Sequence, residues 1–322
     1  MAETTATAEA LREVFLGLRA ALGRVIVGQR EVIEGVLVGL LAGGHVLLEG
    51  VPGLGKTLLV KALGRALALS VGRVQFTPDL MPADILGSHT LIETPAGPRV
   101  AFEPGPVFVE LLLADEINRA NPRTQAALLE AMAERQVTLA GETRRLGPPF
   151  FVMATQNPIE MEGTYPLPEA QADRFLLRLP VEAPDRAALL DILDVRPAAA
   201  LDAVQPALDG PTLLRFQAHA AEVLADDDIR ARIVDLVLAT RPEAVPAAMR
   251  PYVRLGASPR GAQGLLAAAR ARAAMAGRLH VTADDVRAMA PAVLRHRVLL
   301  TFAARADGVD ADAVVRAVLA GR

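Results

Sequence analysis

Gly50-Val51-Pro52-Gly53-Leu54-Gly55-Lys56-Thr57 satisfies every fixed position of the pattern G-x-x-x-x-G-K-[ST]. The stretch before it, His45-Val46-Leu47-Leu48-Glu49, is short and apolar and reads as a buried strand. Leu58-Leu59-Val60-Lys61-Ala62-Leu63 after it reads as the start of a helix. A glycine-rich turn between strand and helix lets backbone N–H groups face inward. The helix N-terminus adds partial positive charge at the same place. That combination suits a chain of phosphates. Lys56 then supplies charge for the β- and γ-phosphates, and the Thr57 hydroxyl supplies a ligand for Mg²⁺. The chain has only two lysines, Lys56 and Lys61, and uses arginine at its other basic positions. A lysine kept at this spot speaks against a plain Gly/Pro turn.

Working outward, strands and helices alternate. Residues 8–23 form an amphipathic pattern with Leu11, Val14, Phe15, Leu18 and Leu22 on one face. Val25-Ile26-Val27-Gly28-Gln29 breaks it, and a second helix runs to about residue 41. Residues 71–76, 107–114 and 150–155 read as further strands, and 122–134 as a helix. Residues 77–108 are rich in Pro and Gly and read as loops plus a hairpin. Residues 136–146 read as a second hairpin around Ala140-Gly141-Glu142. Alternation of this kind predicts an α/β domain with a parallel sheet flanked by helices. Beyond about residue 185 the pattern turns helical, with loops at 196–211 and 242–259. Thr282-Ala283-Asp284-Asp285 resembles a capping box. The expected organisation is an α/β domain over 1–195 and a smaller all-α domain over 210–322.

Composition narrows the function classes. The chain has 322 residues, 52% hydrophobic and 22% charged, enough for a sizeable core. A net charge of −3 disfavours a generally basic nucleic-acid binder. The absence of cysteine excludes disulfides and thiolate zinc sites. The five histidines, His45, His89, His219, His280 and His296, show no metal-ligand spacing. Aromatics are 3% and tryptophan is absent, so no base-stacking platform stands out. The first residues lack the basic and apolar regions of a signal peptide, and no apolar run is long enough to span a bilayer. The expectation is a cytoplasmic protein.

Two further stretches carry chemistry. Leu111-Leu112-Leu113-Ala114-Asp115-Glu116 is an apolar strand ending in two carboxylates. By itself such a pair is more often a cap or a solvated turn. Beside a phosphate loop, Asp115 becomes a candidate Mg²⁺ ligand through its water shell. Glu116 then becomes the group that polarises the attacking water. Phe150-Phe151-Val152-Met153-Ala154-Thr155-Gln156-Asn157-Pro158 is a third strand running into a polar tip. The chain's three asparagines, Asn118, Asn121 and Asn157, all follow a strand expected at the nucleotide edge. Asn157 is therefore a candidate partner for the water or the γ-phosphate rather than a plain turn residue before proline.

With these segments in view the chain resembles the MoxR-type AAA+ ATPases. The resemblance is carried by Ile26-Val27-Gly28-Gln29, the Gly50 to Thr57 loop and Phe76-Thr77-Pro78-Asp79-Leu80-Met81-Pro82-Ala83-Asp84-Ile85-Leu86-Gly87. Residues 114–120, 124–130 and 154–158 continue it. Further along it is carried by Glu162-Gly163-Thr164-Tyr165-Pro166-Leu167-Pro168-Glu169-Ala170-Gln171, Asp173-Arg174-Phe175 and Ala257-Ser258-Pro259-Arg260-Gly261. Arg123 and Ala172 stand where a lysine and a leucine are expected. The resemblance implies a P-loop AAA+ core followed by a helical lid, Mg²⁺-dependent hydrolysis of ATP, and a homo-oligomeric, hexameric ring with nucleotide between subunits. It implies a nucleotide site of Val27, Gly28, Gly50, Val51, Pro52, Gly53, Leu54, Gly55, Lys56, Thr57 and Leu58. It gives Arg174 the role of an arginine finger on the neighbour's γ-phosphate. Arg260 becomes the sensor arginine that reports nucleotide state to the lid. The implied task is remodelling, maturation or metal-cofactor insertion of a protein client, including clients with a von Willebrand factor A domain. A chelatase-like motor subunit and a nucleic-acid motor or loader are the alternatives.

Overall fold

The structure, a computed structural model, describes residues 2–51, 53–94, 97–157 and 164–321. Pro52 of the phosphate loop and the Glu162-Gly163 pair therefore lie outside the described residues. Among the described residues, the first part of the chain carries nine strands: β1 Val46–Glu49, β2 Val71–Gln75, β3 Gly87–Thr94, β4 Gly97–Pro104, β5 Leu111–Asp115, β6 Gln136–Leu139, β7 Glu142–Arg145, β8 Phe151–Gln156 and β9 Leu177–Pro180. Five of them form one sheet in the order β2-β5-β8-β1-β9, all parallel.

The apolar runs of β5 and β8 are what a sheet covered on both faces requires. Side chains alternate between the faces along each strand. Leu111, Leu113, Phe151, Met153, Val46 and Leu48 enter one core cluster, with the helices Ala2–Val25, Arg30–Leu41 and Lys56–Ala66. Leu112, Ala114, Val152, Ala154 and Leu47 enter the other, with the helix Pro122–Glu134. The first helix buries Leu11, Phe15, Leu18 and Leu22, as its periodicity predicts, and extends back to Ala2.

Some expectations shift. The strand expected from 107 begins at Leu111, because Phe108 N–H closes a turn onto Gly105 C=O at 3.1 Å. Residues 77–108 hold a short helix, Pro82–Leu86, leading directly into the β3–β4 hairpin. Pro197–Asp202 is a helix inside the stretch read as loop, with Pro197 at the first-turn position where its missing N–H costs nothing.

The remainder is helical: Gly210–Ala221, Asp227–Leu238, Pro259–Met275, Ala283–Leu294 and Ala311–Ala320. It also contains a short antiparallel pair, β10 Val253–Leu255 with β11 Leu299–Leu300. Asp209, Asp226 and Asp310 cap their helices by accepting backbone N–H bonds. Each such cap is worth about 1 kcal/mol. The capping box forms at Thr282 and Asp285, and the buried Asp285 carboxylate also accepts from Arg272 and Arg278.

A buried cation helps fasten the helical part to the sheet, alongside a shared apolar core. The Arg297 guanidinium is 3% exposed and donates to Asp173 Oδ1 at 2.7 Å and to Phe175 C=O at 2.7 Å. His296 lies beside it, with Nε2 3.0 Å from the same carbonyl.

Candidate functional site

The loop after β1 is fixed from both sides. Gly50 N–H donates to Gln156 C=O at 3.2 Å, and a Cβ on Gly50 would sit 2.5 Å from Val181 C=O. Only glycine fits that approach. Gly55 has φ +80° and immediately precedes the helix Lys56–Ala66, so the first N–H groups of the helix face the loop. Lys56 Nζ donates to Gly50 C=O at 2.6 Å, lying across the loop. Burial pushes the Lys56 ammonium below its usual range, and the Asp115 and Glu116 carboxylates act in the opposite direction. Thr57 and Leu58 follow on the first helical turn, half-buried.

Strand order sets the rest. β8 lies between β1 and β5, so the C-terminal ends of all three share the edge where the loop sits. That edge collects Lys56, Asp115, Glu116 and Asn157, all expected there. Thr155 Oγ1 donates to Asp115 Oδ1 at 2.8 Å and accepts from Glu116 N–H at 2.8 Å. Glu116 itself is left-handed, with φ +57°. A non-glycine residue holds that conformation only where its surroundings impose it. Asn157 is buried, and its carbonyl accepts from Asn118 Nδ2 at 3.2 Å.

Several contacts at this edge were not read from the sequence. Arg73 pairs with Asp115 Oδ2 at 2.8 Å. Gln75 Nε2 donates to Glu116 Oε2 at 2.9 Å, and Arg119 reaches the same oxygen at 3.1 Å. Gln75 stands opposite Asp115 in the β2–β5 register. The spacing of Arg73 and Gln75 at i and i+2 was the available signal, but which strand they faced was not. Glu49 at the end of β1 accepts from Gln156 Nε2 at 2.8 Å and from Arg178 Nε at 2.9 Å.

Beside the loop lies a cavity of about 220 Å³. The loop side contributes Gly53, Leu54, Gly55 and Leu58, and the turn after the first helix contributes Ile26 and Val27. Pro184, Ile192, Val195 and Pro197 close it. Its mostly apolar wall suits a planar base next to a phosphate chain. Gly28 packs against Ala188 at its rim, with φ +78°. Sequence reading does not place the stretch from Pro184 to Pro197 at the site.

The donors fit Mg²⁺. Thr57 offers a hydroxyl and Asp115 a carboxylate, both hard oxygen ligands. Among the described residues no group of three or more His, Cys, Asp or Glu could hold a metal ion. Mg²⁺ taken with substrate phosphates and one or two protein oxygens needs no such cage.

Arg174 and Arg260 stand elsewhere. Leu176 N–H donates to His45 C=O at 2.8 Å, and Leu177 is in register with Val46. Arg174 thus sits at the edge where β1 begins, while the phosphate loop follows its last residue. The four-residue strand between them is about 13 Å long. Arg174 is exposed, and donates to Leu129 C=O at 2.6 Å. Arg260 is 59% exposed and lies 3.8 Å from Asp173 Oδ2. It therefore stands by Asp173, on the same side of the sheet as the start of β9 rather than at the phosphate-loop edge.

Residues 45–177 match the family described as ATPase family associated with various cellular activities (AAA), and residues 245–318 match the AAA lid domain. Chaperone MoxR1 of Mycobacterium tuberculosis is 46% identical over 92% of this chain and 78% of its own. Protein MoxR of Paracoccus denitrificans is 38% identical over 89% of each chain. A crystal structure from Cytophaga hutchinsonii, of a protein to which ATPase activity is ascribed, superposes with a TM-score of 0.88. It is 36% identical and is matched over 98% of this chain and 96% of that one. Sheet order, phosphate loop and lid agree with these matches, and the chain belongs to the MoxR family of AAA+ ATPases.

Proposed function

We infer that the protein hydrolyses Mg·ATP to ADP and phosphate at a site completed by a neighbouring copy. It uses the cycle to remodel or mature a partner protein. The observation that carries this reading is the division of groups between two edges of the sheet. Lys56, Thr57, Asp115, Glu116 and Asn157 gather at one edge, and the cations Arg174 and Arg260 at the other. Charge developing on a transferring phosphoryl group needs cations at fixed positions. Head-to-tail packing in a ring, six-membered by family resemblance, delivers the two arginines to the next copy's loop.

Roles follow from position. Lys56 neutralises the β- and γ-phosphates. Thr57 and Asp115 would hold Mg²⁺, which supplies charge neutralisation across the phosphates when bound. Glu116 takes the proton side of water activation, and Asn157 orients the water or the γ-phosphate. Arg174 and Arg260 stabilise charge on the neighbour's nucleotide. The relative named Chaperone MoxR1 supports a protein client. A client bearing a von Willebrand factor A domain, and a role in metal-cofactor insertion, rest on family resemblance.

Glu116→Gln keeps the shape of the side chain and removes the charge. Binding of a fluorescent ATP analogue should persist while steady-state turnover falls by roughly 10²-fold or more. Turnover at the parental rate overturns the assignment. The same variant held in ATP is the form with which to capture a client.

A further inference from the structure

The helix Arg186–Asp194 carries an apolar face that its own chain does not cover. Leu189 is 51% exposed and Leu193 is 80% exposed, and within the helix only Ala188 is buried. The helix adjoins the phosphate-loop edge, since Ile192 lines the cavity beside Gly53 and Leu54. A second uncovered apolar patch lies on the opposite edge. Leu255 is 58% exposed and Phe302 is 84% exposed. Their segments are joined by the β10–β11 pairing and by Thr301 N–H donating to Tyr252 C=O at 2.9 Å. This patch is tied to the Arg174 edge by the Arg254–Glu169 ion pair and by Ser258 Oγ, which donates to Asp173 Oδ2 at 3.2 Å.

The two patches differ in charge. The helix and its cap present Asp185, Asp191 and Asp194 against Arg186. The Phe302 patch presents Arg250, Arg254 and Arg305 against Asp307 and Glu169, the latter paired with Arg254. Two different, complementary surfaces at opposite edges fit a head-to-tail contact and not a self-complementary one.

We propose that the helix Arg186–Asp194 of one copy docks on the Leu255–Phe302 patch of the next. This contact seats the second copy's Arg174 edge against the first copy's phosphate loop. The inference rests on the shared-site reading and names the surface that enforces it. A second copy of this chain is the occupant, because the patches answer each other in charge and each flanks one half of the divided site.

The test uses Leu193→Asp and Phe302→Asp, read by sedimentation velocity and native mass spectrometry with the non-hydrolysable ATP analogue bound. Both positions are on the surface, and analogue binding with a parental melting curve establishes that each variant is folded. Each alone should self-associate at least about 30-fold more weakly, the scale of losing one central apolar anchor. Mixed, they should form a one-to-one dimer and nothing larger, because one intact contact remains and its outer ends are both spoiled. ATPase of that dimer should require Arg174 in the Leu193→Asp chain and Lys56 in the Phe302→Asp chain. A dimer whose turnover ignores Arg174 keeps the docking surface and sinks the shared-site reading. Parental assembly by either variant, or no dimer on mixing, overturns the docking proposal and leaves the helix to a different partner. Leu189→Asp with Leu255→Asp provides a second pair with the same expected pattern.

Discussion

Thr155 and Asp115 are joined by a hydrogen bond of 2.8 Å, and the same Thr155 oxygen accepts from Glu116 N–H at 2.8 Å. Thr155 has no exposure to solvent. Water cannot replace either bond if the hydroxyl is lost. Thr155→Val keeps the shape and leaves a buried N–H and a carboxylate oxygen short of a partner. The expected loss is about 1–3 kcal/mol of stability, with a fall in ATP turnover. Thr155→Ser should stay close to the parent in both. Urea unfolding and an ATPase assay on the two variants decide it. A valine variant unchanged in both measurements would show that the hydroxyl does not hold the carboxylates.

This contact shows where reading the sequence stops. The Gly50–Thr57 loop was legible because its chemistry is local: strand, turn and helix are contiguous. Asp115, Glu116 and Asn157 were legible because each ends an apolar run, and parallel sheets gather strand ends at one edge. The cavity wall from Pro184 to Pro197 was not legible. It arrives from a segment whose packing against Ile26 and Gly53 leaves no periodic trace. The contacts of Arg73 and Gln75 also needed the β2–β5 register. The position of Arg260 depended on how the lid sits on the sheet, which long-range contacts such as Arg297 with Asp173 set.

Acid should destabilise the fold through two histidines. Burial pushes His45 down to about 4 from its ordinary 6.5. His296 lies well below its ordinary value, again chiefly through burial, with Arg297 next. Both folded-state values lie below the unfolded ones. As pH falls below about 6.5, the unfolded chain takes up protons that the folded chain refuses. Stability is therefore full above that value and is lost toward pH 4. Each histidine contributes a slope of up to about 1.4 kcal/mol per pH unit in that window. Urea unfolding between about pH 7 and pH 5 should show the slope, and His45→Asn should make it shallower. An unchanged slope in the variant would mean that His45 is not held neutral.

Asp173 should matter more to stability than its position on a loop suggests. It faces the buried Arg297 guanidinium at 2.7 Å, with Ser258 and Arg260 on its other oxygen. Burial lowers the Arg297 pKa, and the Asp173 charge opposes that. Asp173→Asn leaves the cation buried without its counter-charge, at a cost of about 3 kcal/mol. Removing both charges, as Asp173→Asn with Arg297→Met, should recover part of that loss. Chemical unfolding of the single and double variants tests the coupling, and simple additivity would count against it.

Arg174 and Arg260 stand on the same edge, and that makes a prediction about mixtures. If both serve the neighbour's nucleotide, each copy donates the two cations together. Lys56→Ala spoils a copy's own pocket and leaves its donated arginines intact. Arg174→Ala does the reverse. Each variant alone should be inactive, and mixing them should restore turnover at interfaces that pair a sound pocket with a sound donor. Lys56→Ala mixed with Arg260→Ala should recover in the same way. Arg174→Ala mixed with Arg260→Ala should not, because every donor then lacks one arginine. An Arg260 that served its own pocket gives the opposite result. An Arg174→Ala pocket keeps its Arg260 and meets an intact Arg174 from its partner, so that third mixture recovers. An arginine finger is worth about 10³–10⁵ in rate, so a small fraction of repaired interfaces is visible. ATPase assays on the three premixed pairs, with native mass spectrometry confirming exchange, separate the two arrangements. Recovery in the third mixture would return Arg260 to its own nucleotide and require the lid to swing away from Asp173 during the cycle.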